Sequence, residues 1–286
     1  MSLYLHPSIT PETIKEAKKA GITGVKSYPA GVTTNSSSGV VNYEQFYEVF
    51  SEMEHQDMIL NLHGESPSGA DVTVLNAEAT FLPTLLDLHS RFPKLRIILE
   101  HCTTAAAIEA VQKCGSTVAG TITAHHLFLI VDDWAGDPFC FCKPVAKLPS
   151  DRNALLKTAV SGNPKFFLGT DSAPHPVKSK TGGADRRGKV AAGVFTQPYA
   201  TQLVIGAFSQ ACEAGVLREE DITQEVLEGF LGKLGRAFYR AEDSRDERII
   251  LKKQDECIVD VVKRDDSDVE VVPFRRGQKI WTLNWR

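Results

Sequence analysis

The chain has 286 residues, of which 42% are hydrophobic and 24% charged, and its formal net charge is −4. This composition is that of a globular protein with a large core, and it excludes collagen-like, disordered and membrane-spanning chains, since no apolar run approaches the roughly 18 residues of a spanning helix. The weak negative charge argues against nucleic acid as a partner. Six cysteines over this length are typical of free thiols in a reducing compartment, so we expect a cytoplasmic protein without a secretory signal.

Short apolar runs alternate with amphipathic segments along the chain. Six of these runs are typical of strands, at residues 2–6, 22–28, 58–63, 95–101, 117–123 and 165–171. Helices are predicted between them, the first with Thr10 as its N-cap, and again from about 196 to 240. The segment that begins near 247 predicts an edge strand or hairpin.

This alternation indicates an α/β fold with a parallel sheet and helices outside it. We expect one domain over residues 1–286, with a helical and strand extension from about 196. The pattern alone leaves a doubly wound open sheet as an alternative to a barrel.

Four chemically distinctive residues fall at the carboxyl ends of predicted strands, and they are Lys26, His63, His101 and Asp171. They are separated by 37, 38 and 70 residues, and each step of about 35 is close to the length of one βα unit in a barrel. The spacing therefore predicts that all four lie on one rim. Two imidazoles and a carboxylate at a rim are suitable ligands for a divalent transition ion, with zinc the default.

The other candidate ligands are interpreted as structural residues. His125 and His126 come where the fifth strand runs into a loop, and adjacent side chains on a strand diverge, so we do not expect them to share a metal. Cys140 and Cys142 have no second pair, so a zinc knuckle is not expected. His6 is interpreted as a turn residue, and His55 and His89 are interpreted as structural residues on helices.

Four segments together resemble the dihydroorotases of the short, single-chain type, within the amidohydrolase superfamily. They are GVKSYPAGVTTNSSSGV (24–40), LNLHGE (60–65), LEHCTT (99–104) and FLGTDSAPH (167–175). The resemblance continues to the terminal VPFRRGQKIWTL. It implies a TIM-barrel-like (β/α)8 metal-dependent hydrolase fold with two zinc ions. It also implies a cytoplasmic homodimer that reversibly cyclises N-carbamoyl-L-aspartate to L-dihydroorotate in pyrimidine (UMP) biosynthesis.

The resemblance also implies roles for particular residues. Lys26 matches the lysine that carbon dioxide converts to a carbamate bridging both metals, and His63 and His101 match ligands of the second metal. Asp171 matches the aspartate that holds the first metal and transfers the proton.

Further positions match groups that contact the substrate. Thr33 and Thr34 match a mobile loop that closes over it. His175 and Ala192 match contacts to its carboxylate, and Lys143 matches a position whose main chain meets the pyrimidine ring.

The chain departs from the family pattern in one respect, since the family's first strand carries a His-x-His-x-Arg motif that does not occur here. Aligned by motif, Met1 falls at the third strand, so we expect the first two βα units, at least about 60 residues, to be missing. The first metal then keeps only Lys26 and Asp171, and we expect little or no turnover from this chain. We attribute the gap to truncation rather than divergence, because the matching downstream positions are all present.

Two other functions remain as alternatives. One is another cyclic-amide hydrolase, such as a hydantoinase-like protein, against which the TTNSS and TDSAPH segments argue. The other is a catalytically silent barrel that acts as a regulatory or assembly subunit, which the missing motif would favour.

Overall fold

The computed structural model describes residues 1–33, 36, 38–182, 190–242 and 247–286. Within this part of the chain, six parallel strands pair in chain order to form one sheet. The strands are β1 (Ser2–Tyr4), β2 (Gly24–Ser27), β3 (Ile59–His63), β4 (Arg96–Glu100), β5 (Val118–Ile122) and β6 (Phe166–Leu168).

The order of these strands decides between the two folds that the sequence pattern allows. A doubly wound sheet reverses direction at a switch point, whereas here each strand lies beside its predecessor from β1 to β6. Sequential order with parallel pairing is the winding of a barrel wall. All six strands lie within the runs predicted from the sequence, and each ends earlier or starts later by one to three residues.

Helices cover the outside of the sheet and form much of the region after residue 196. They are α1 (Pro11–Lys19), α2 (Tyr47–His55), α3 (Ala77–Arg91), α4 (Ala105–Lys113), α5 (Val131–Gly136), α6 (Pro149–Ala159), α7 (Val177–Lys180), α8 (Ala200–Glu213), α9 (Gln224–Glu228) and α10 (Leu234–Tyr239). The predicted cap of α1 is confirmed, because the Thr13 amide donates to the Thr10 hydroxyl at 3.3 Å. None of the described helices is long and apolar enough to cross a membrane.

The predicted hairpin near the end of the chain is formed by two long antiparallel strands that pair with each other. They are β7 (Ile249–Cys257) and β10 (Lys279–Trp285), and the short pair β8 (Val262–Lys263) and β9 (Glu270–Val271) lies between them in sequence.

The inner face of the sheet changes character along the strands. At the amino end, Ile59, Ile98 and Phe167 form a small buried cluster, which Phe238 and Tyr239 of α10 cover. Side chains alternate between faces, so the same face carries Asn61 and then His63 further along β3. The strand pattern therefore gives the inner face an apolar floor at the amino end and a polar mouth at the carboxyl end.

Candidate functional site

The mouth of the sheet is lined by groups at the carboxyl ends of the strands. His101 follows β4 directly and Asp171 follows β6 closely, and both have left-handed backbones, with φ of 46° and 40°. Such a conformation costs about 1–3 kcal/mol for a residue other than glycine, and it is found where neighbouring structure enforces it. At His101 the backbone amide donates to the Thr121 hydroxyl at 2.8 Å, which holds this bend.

His63 and His101 lie side by side in the mouth, with ring centroids 4.6 Å apart. Both are buried. His63 Nε2 lies 2.8 Å from a carboxylate oxygen of Glu65, so Nε2–H donates and Nδ1 keeps a free lone pair. His101 Nδ1 is buried and has no hydrogen-bond partner among the described residues. Burial lowers the pKa of both rings, so both are neutral and able to donate lone pairs to a metal.

Lys26 projects from β2 into the same space, and its side chain is 13% exposed. The ammonium contacts the Glu100 carboxylate and lies 4.8 Å from the centroid of the Tyr28 ring. Burial lowers the pKa of Lys26 to about 7, although the negative charge of Asp171 opposes this shift. A large share of the amine is therefore neutral at physiological pH, which is the form that reacts with carbon dioxide.

Asp171 completes the group at the mouth. Solvent reaches this residue from the open side, but protein surrounds its carboxyl group closely enough to raise its pKa to about 6, against the pull of the Lys26 charge. The charge of Lys26 also lowers the pKa of both His63 and His101. These mutual effects require short separations. The structure thus brings all four residues of the predicted rim to one mouth.

Residues expected to contact a substrate lie in loops around this mouth. His175 Nε2–H donates to the carbonyl of Ala192 at 2.9 Å, and Lys143 Nζ donates to the carbonyl of Val32 at 2.8 Å. The Thr33 hydroxyl is buried and has no hydrogen-bond partner in the described part of the chain. Thr34 lies outside the described residues.

A buried lysine that the sequence did not single out ties two of these loops together. Lys180, 3% exposed, donates to the carbonyls of Phe141, Ala191 and Gly193 at 2.8–2.9 Å. All three ammonium protons are therefore used, and the residues on either side of Ala192 are fixed against the loop that precedes Lys143. The three acceptors are main-chain carbonyls, which every residue type has. The sequence therefore contains no pattern that predicts this contact.

Sequence reasoning also missed Glu65 and Glu100, the carboxylates that contact His63 and Lys26. A signal was available, because Glu65 comes two residues after His63 and Glu100 directly precedes His101. An acidic residue beside a candidate ligand at a strand end is a natural partner for it.

The prediction that the side chains of His125 and His126 diverge is wrong. β5 ends at Ile122, and the chain then turns through a 3₁₀ helix at His125–Leu127, so the two residues do not alternate across a strand. Their ring centroids lie 4.4 Å apart, and Cys142 lies beside them.

Comparison with known proteins gives the family context of this mouth. No family model matches the chain. A probable dihydroorotase of Schizosaccharomyces pombe is 51% identical over 287 residues, which cover 100% of this chain and 79% of that protein.

Two solved structures are also similar. The crystal structure of the Saccharomyces cerevisiae dihydroorotase in complex with 5-fluoroorotic acid matches with a TM-score of 0.89 at 45% identity, over 100% of this chain and 80% of that chain. The Campylobacter jejuni dihydroorotase matches with a TM-score of 0.83 at 30% identity, over 100% of this chain and 77% of that chain. The prediction of a TIM-barrel-like hydrolase fold is confirmed.

Proposed function

Because this chain belongs to the dihydroorotase family of the amidohydrolase superfamily, we propose that Lys26, His63, His101 and Asp171 form its active site. The family's enzymes are cyclic-amide hydrolases of pyrimidine biosynthesis, which interconvert N-carbamoyl-L-aspartate and L-dihydroorotate. One observation carries the proposal: an amine of lowered pKa, two neutral imidazoles and a carboxylate of raised pKa meet at one mouth. Perturbed groups that converge in this way are typical of catalytic sites.

The donors at the mouth fit zinc once Lys26 carries carbon dioxide. The neutral amine forms a bond to the carbon of carbon dioxide and loses a proton, which gives an anionic ligand with two oxygens. His63 and His101 would hold one ion together with this carbamate, and Asp171 would hold a second ion with it. Zinc bound there supplies Lewis acidity, which activates water and polarises an amide carbonyl.

Asp171 is suited to move the proton of the reaction. In the hydrolytic direction its carboxylate accepts a proton from the attacking water and returns it to the ring nitrogen that departs. The raised pKa of Asp171, about 6, brings its proton affinity closer to neutral pH than that of an ordinary aspartate.

The surrounding loops would bind the substrate. His175 and Ala192 would contact its carboxylate, and the main chain at Lys143 would contact the ring. Thr33 and Thr34 would close over it and exclude water. The bond from Lys143 Nζ to the carbonyl of Val32 links the ring-binding segment to this closing loop.

The test of this proposal uses the zinc-loaded chain and 5-fluoroorotic acid, the ligand in the yeast structure. We expect the chain to bind this ligand in calorimetry, and to bind dihydroorotate in preference to a hydantoin. A silent assembly subunit would take up less than one zinc at the mouth and would bind neither 5-fluoroorotic acid nor dihydroorotate. Turnover of dihydroorotate should be slow, because the ion held by the Lys26 carbamate and Asp171 has few protein ligands for tight binding.

Glu65 should support the metal site through His63. Glu65→Ala removes the acceptor of the buried Nε2–H, and we expect zinc affinity at the mouth to fall about 10–100-fold. Competition with a chromophoric chelator measures this change. Glu65→Gln keeps an oxygen acceptor and should retain most of the affinity; an equal loss in both variants would contradict this role.

Lys180 should order the loops that bind substrate. Lys180→Met removes three charge-assisted hydrogen bonds and leaves three buried carbonyls without them, so we expect weaker binding of 5-fluoroorotic acid with unchanged zinc affinity. Urea unfolding should show a loss of about 1.5–3 kcal/mol or more. The matched control is Lys178→Met, an exposed lysine on the same helix, which should change neither quantity.

We also propose a cytoplasmic homodimer. All six cysteines lie in the described part of the chain and are free thiols, as expected in a reducing compartment. Light scattering of the purified chain measures its mass directly.

A further inference from the structure

We propose that His125, His126 and Cys142 form a second transition-metal site, with donors other than those of the mouth and suited to ions that bind sulfur, such as zinc. The three residues are buried, with exposures of 0%, 1% and 2%, and their donor atoms all lie within 4.8 Å of one another. They come from two segments of the chain: the 3₁₀ turn after β5 and the loop before α6.

The spacing of two of the donors is that of a zinc site. His126 Nε2 lies 3.5 Å from Cys142 Sγ. Zinc bonds of about 2.0–2.1 Å to nitrogen and about 2.3 Å to sulfur place these two atoms about 3.5 Å apart in a tetrahedron. The third donor, a ring nitrogen of His125, lies within 4.8 Å of both.

His125 supplies an independent observation, because neither of its ring nitrogens has a hydrogen-bond partner among the described residues. A buried polar atom left unpaired costs about 1–3 kcal/mol, and such atoms are rare in folded proteins. The His125 ring is fully buried, so water does not supply the missing partner from the surface. A bound cation would give one of the two ring nitrogens of His125 a partner.

The orientation of His126 is already that of a ligand. Its Nδ1 lies 2.8 Å from the Thr123 hydroxyl, which can accept Nδ1–H and so leave Nε2 as the donor to a metal. In the metal-free protein, His126 Nε2 and Cys142 Sγ lie 3.0 Å and 3.3 Å from the carbonyl oxygen of Pro144, to which they can donate. On binding, the neutral His126 ring carries its one proton on Nδ1, towards Thr123, instead of on Nε2, and the thiol releases its proton to solvent.

The donor set selects the ion. A thiolate with two imidazoles favours zinc and copper over magnesium and calcium, which take oxygen ligands. Three protein donors leave a fourth position for water.

A metal held here would join the end of β5 to the loop that carries Lys143. Because Lys143 directly follows Cys142, the ion would restrict the segment expected to meet the substrate ring. The site thus has a mechanical connection to the mouth but shares none of its proposed ligands.

Cobalt(II) added to the metal-free full chain tests the site, because only a sulfur ligand gives a thiolate-to-cobalt charge-transfer band in the near ultraviolet. We expect this band in the unaltered chain, kept in a phosphine reductant. Cys142→Ser should abolish it and lower zinc uptake by one equivalent, whereas Cys140→Ser should leave both unchanged.

A second pair of variants separates this site from the mouth. His101→Asn should keep the band, because the mouth contains no sulfur ligand, and His125→Gln should weaken cobalt binding at least tenfold while circular dichroism shows a folded chain. Absence of the band from the unaltered chain, or its survival in Cys142→Ser, overturns the proposal. Neither result bears on the dihydroorotase assignment.

Discussion

His101→Asn should lower the zinc affinity of the mouth by more than about 100-fold. Loss of a hydrogen bond that only supports a ligand lowers metal affinity about 10–100-fold. This substitution removes a ligand itself, and the mouth has few other protein ligands. The neighbouring ring of His63, 4.6 Å away, would keep its contact with Glu65 and could not replace the lost donor. Chelator competition measures the affinity, and it is best done in a Cys142→Ser background, where a second class of site cannot contribute.

The control for this variant is His89→Asn. His89 lies on α3 and accepts a hydrogen bond from the Gly115 amide at 2.8 Å, so its replacement should cost some stability but no zinc. Equal zinc affinity in His101→Asn and the unaltered chain would remove this residue from the metal site.

Lys26→Arg should abolish carbamate formation in the mouth. Isotope-labelled bicarbonate gives a carbamate carbon signal in NMR, and we expect one such signal from the zinc-loaded chain and none from this variant. An arginine keeps the positive charge and the reach of lysine, but it stays protonated and cannot attack carbon dioxide.

In the metal-free chain at constant dissolved carbon dioxide, the initial rate of carbamate formation should grow with pH and reach half its maximum near pH 7. Only the neutral amine reacts, and burial lowers the pKa of Lys26 to about 7 from its usual 10.5. At pH 7 an ordinary lysine would be neutral in only about one molecule in 3,000. A midpoint near 10 would show that the mouth does not activate this amine.

The same shift sets the pH dependence of stability in the metal-free protein. Between about pH 7 and 10.5 the unfolded chain binds a proton at Lys26 that the folded chain has lost. The contribution of this group to the free energy of unfolding therefore rises with pH across that window. Lys26→Met removes the titrating group and should flatten the rise, as urea unfolding at several pH values would measure.

The sequence predicts the reactive residues of the mouth but not the residues that support them. Lys26, His63, His101 and Asp171 could be placed together because parallel strands bring their carboxyl ends to one edge, and the spacing of βα units is nearly constant. The contact of Lys26 with Glu100 depends on how far each strand extends and on the register between β2, β3 and β4, which no local pattern specifies.

Local patterns also did not predict how the late helices pack or how the chain turns at His125 and His126. The periodicity of the region after 196 predicts helices, but it does not say which face of the sheet they cover, and α10 covers the inner face. His125 and His126 were treated as neighbours on a strand, whereas β5 ends at Ile122 and the chain then turns through a 3₁₀ helix.

The floor beneath the mouth links the reactive amine to a late part of the chain. Tyr239 of α10 and Asn61 lie within hydrogen-bond distance at 2.8 Å, and Asn61 donates in turn to Glu100 at 2.9 Å, whose carboxylate contacts Lys26. The position of the Glu100 carboxylate beside Lys26 therefore depends on a helix that follows more than two hundred residues later in the sequence. A nascent chain in which Tyr239 has not yet left the ribosome would lack this support, so the surroundings of Lys26 are completed only after α10 has been made.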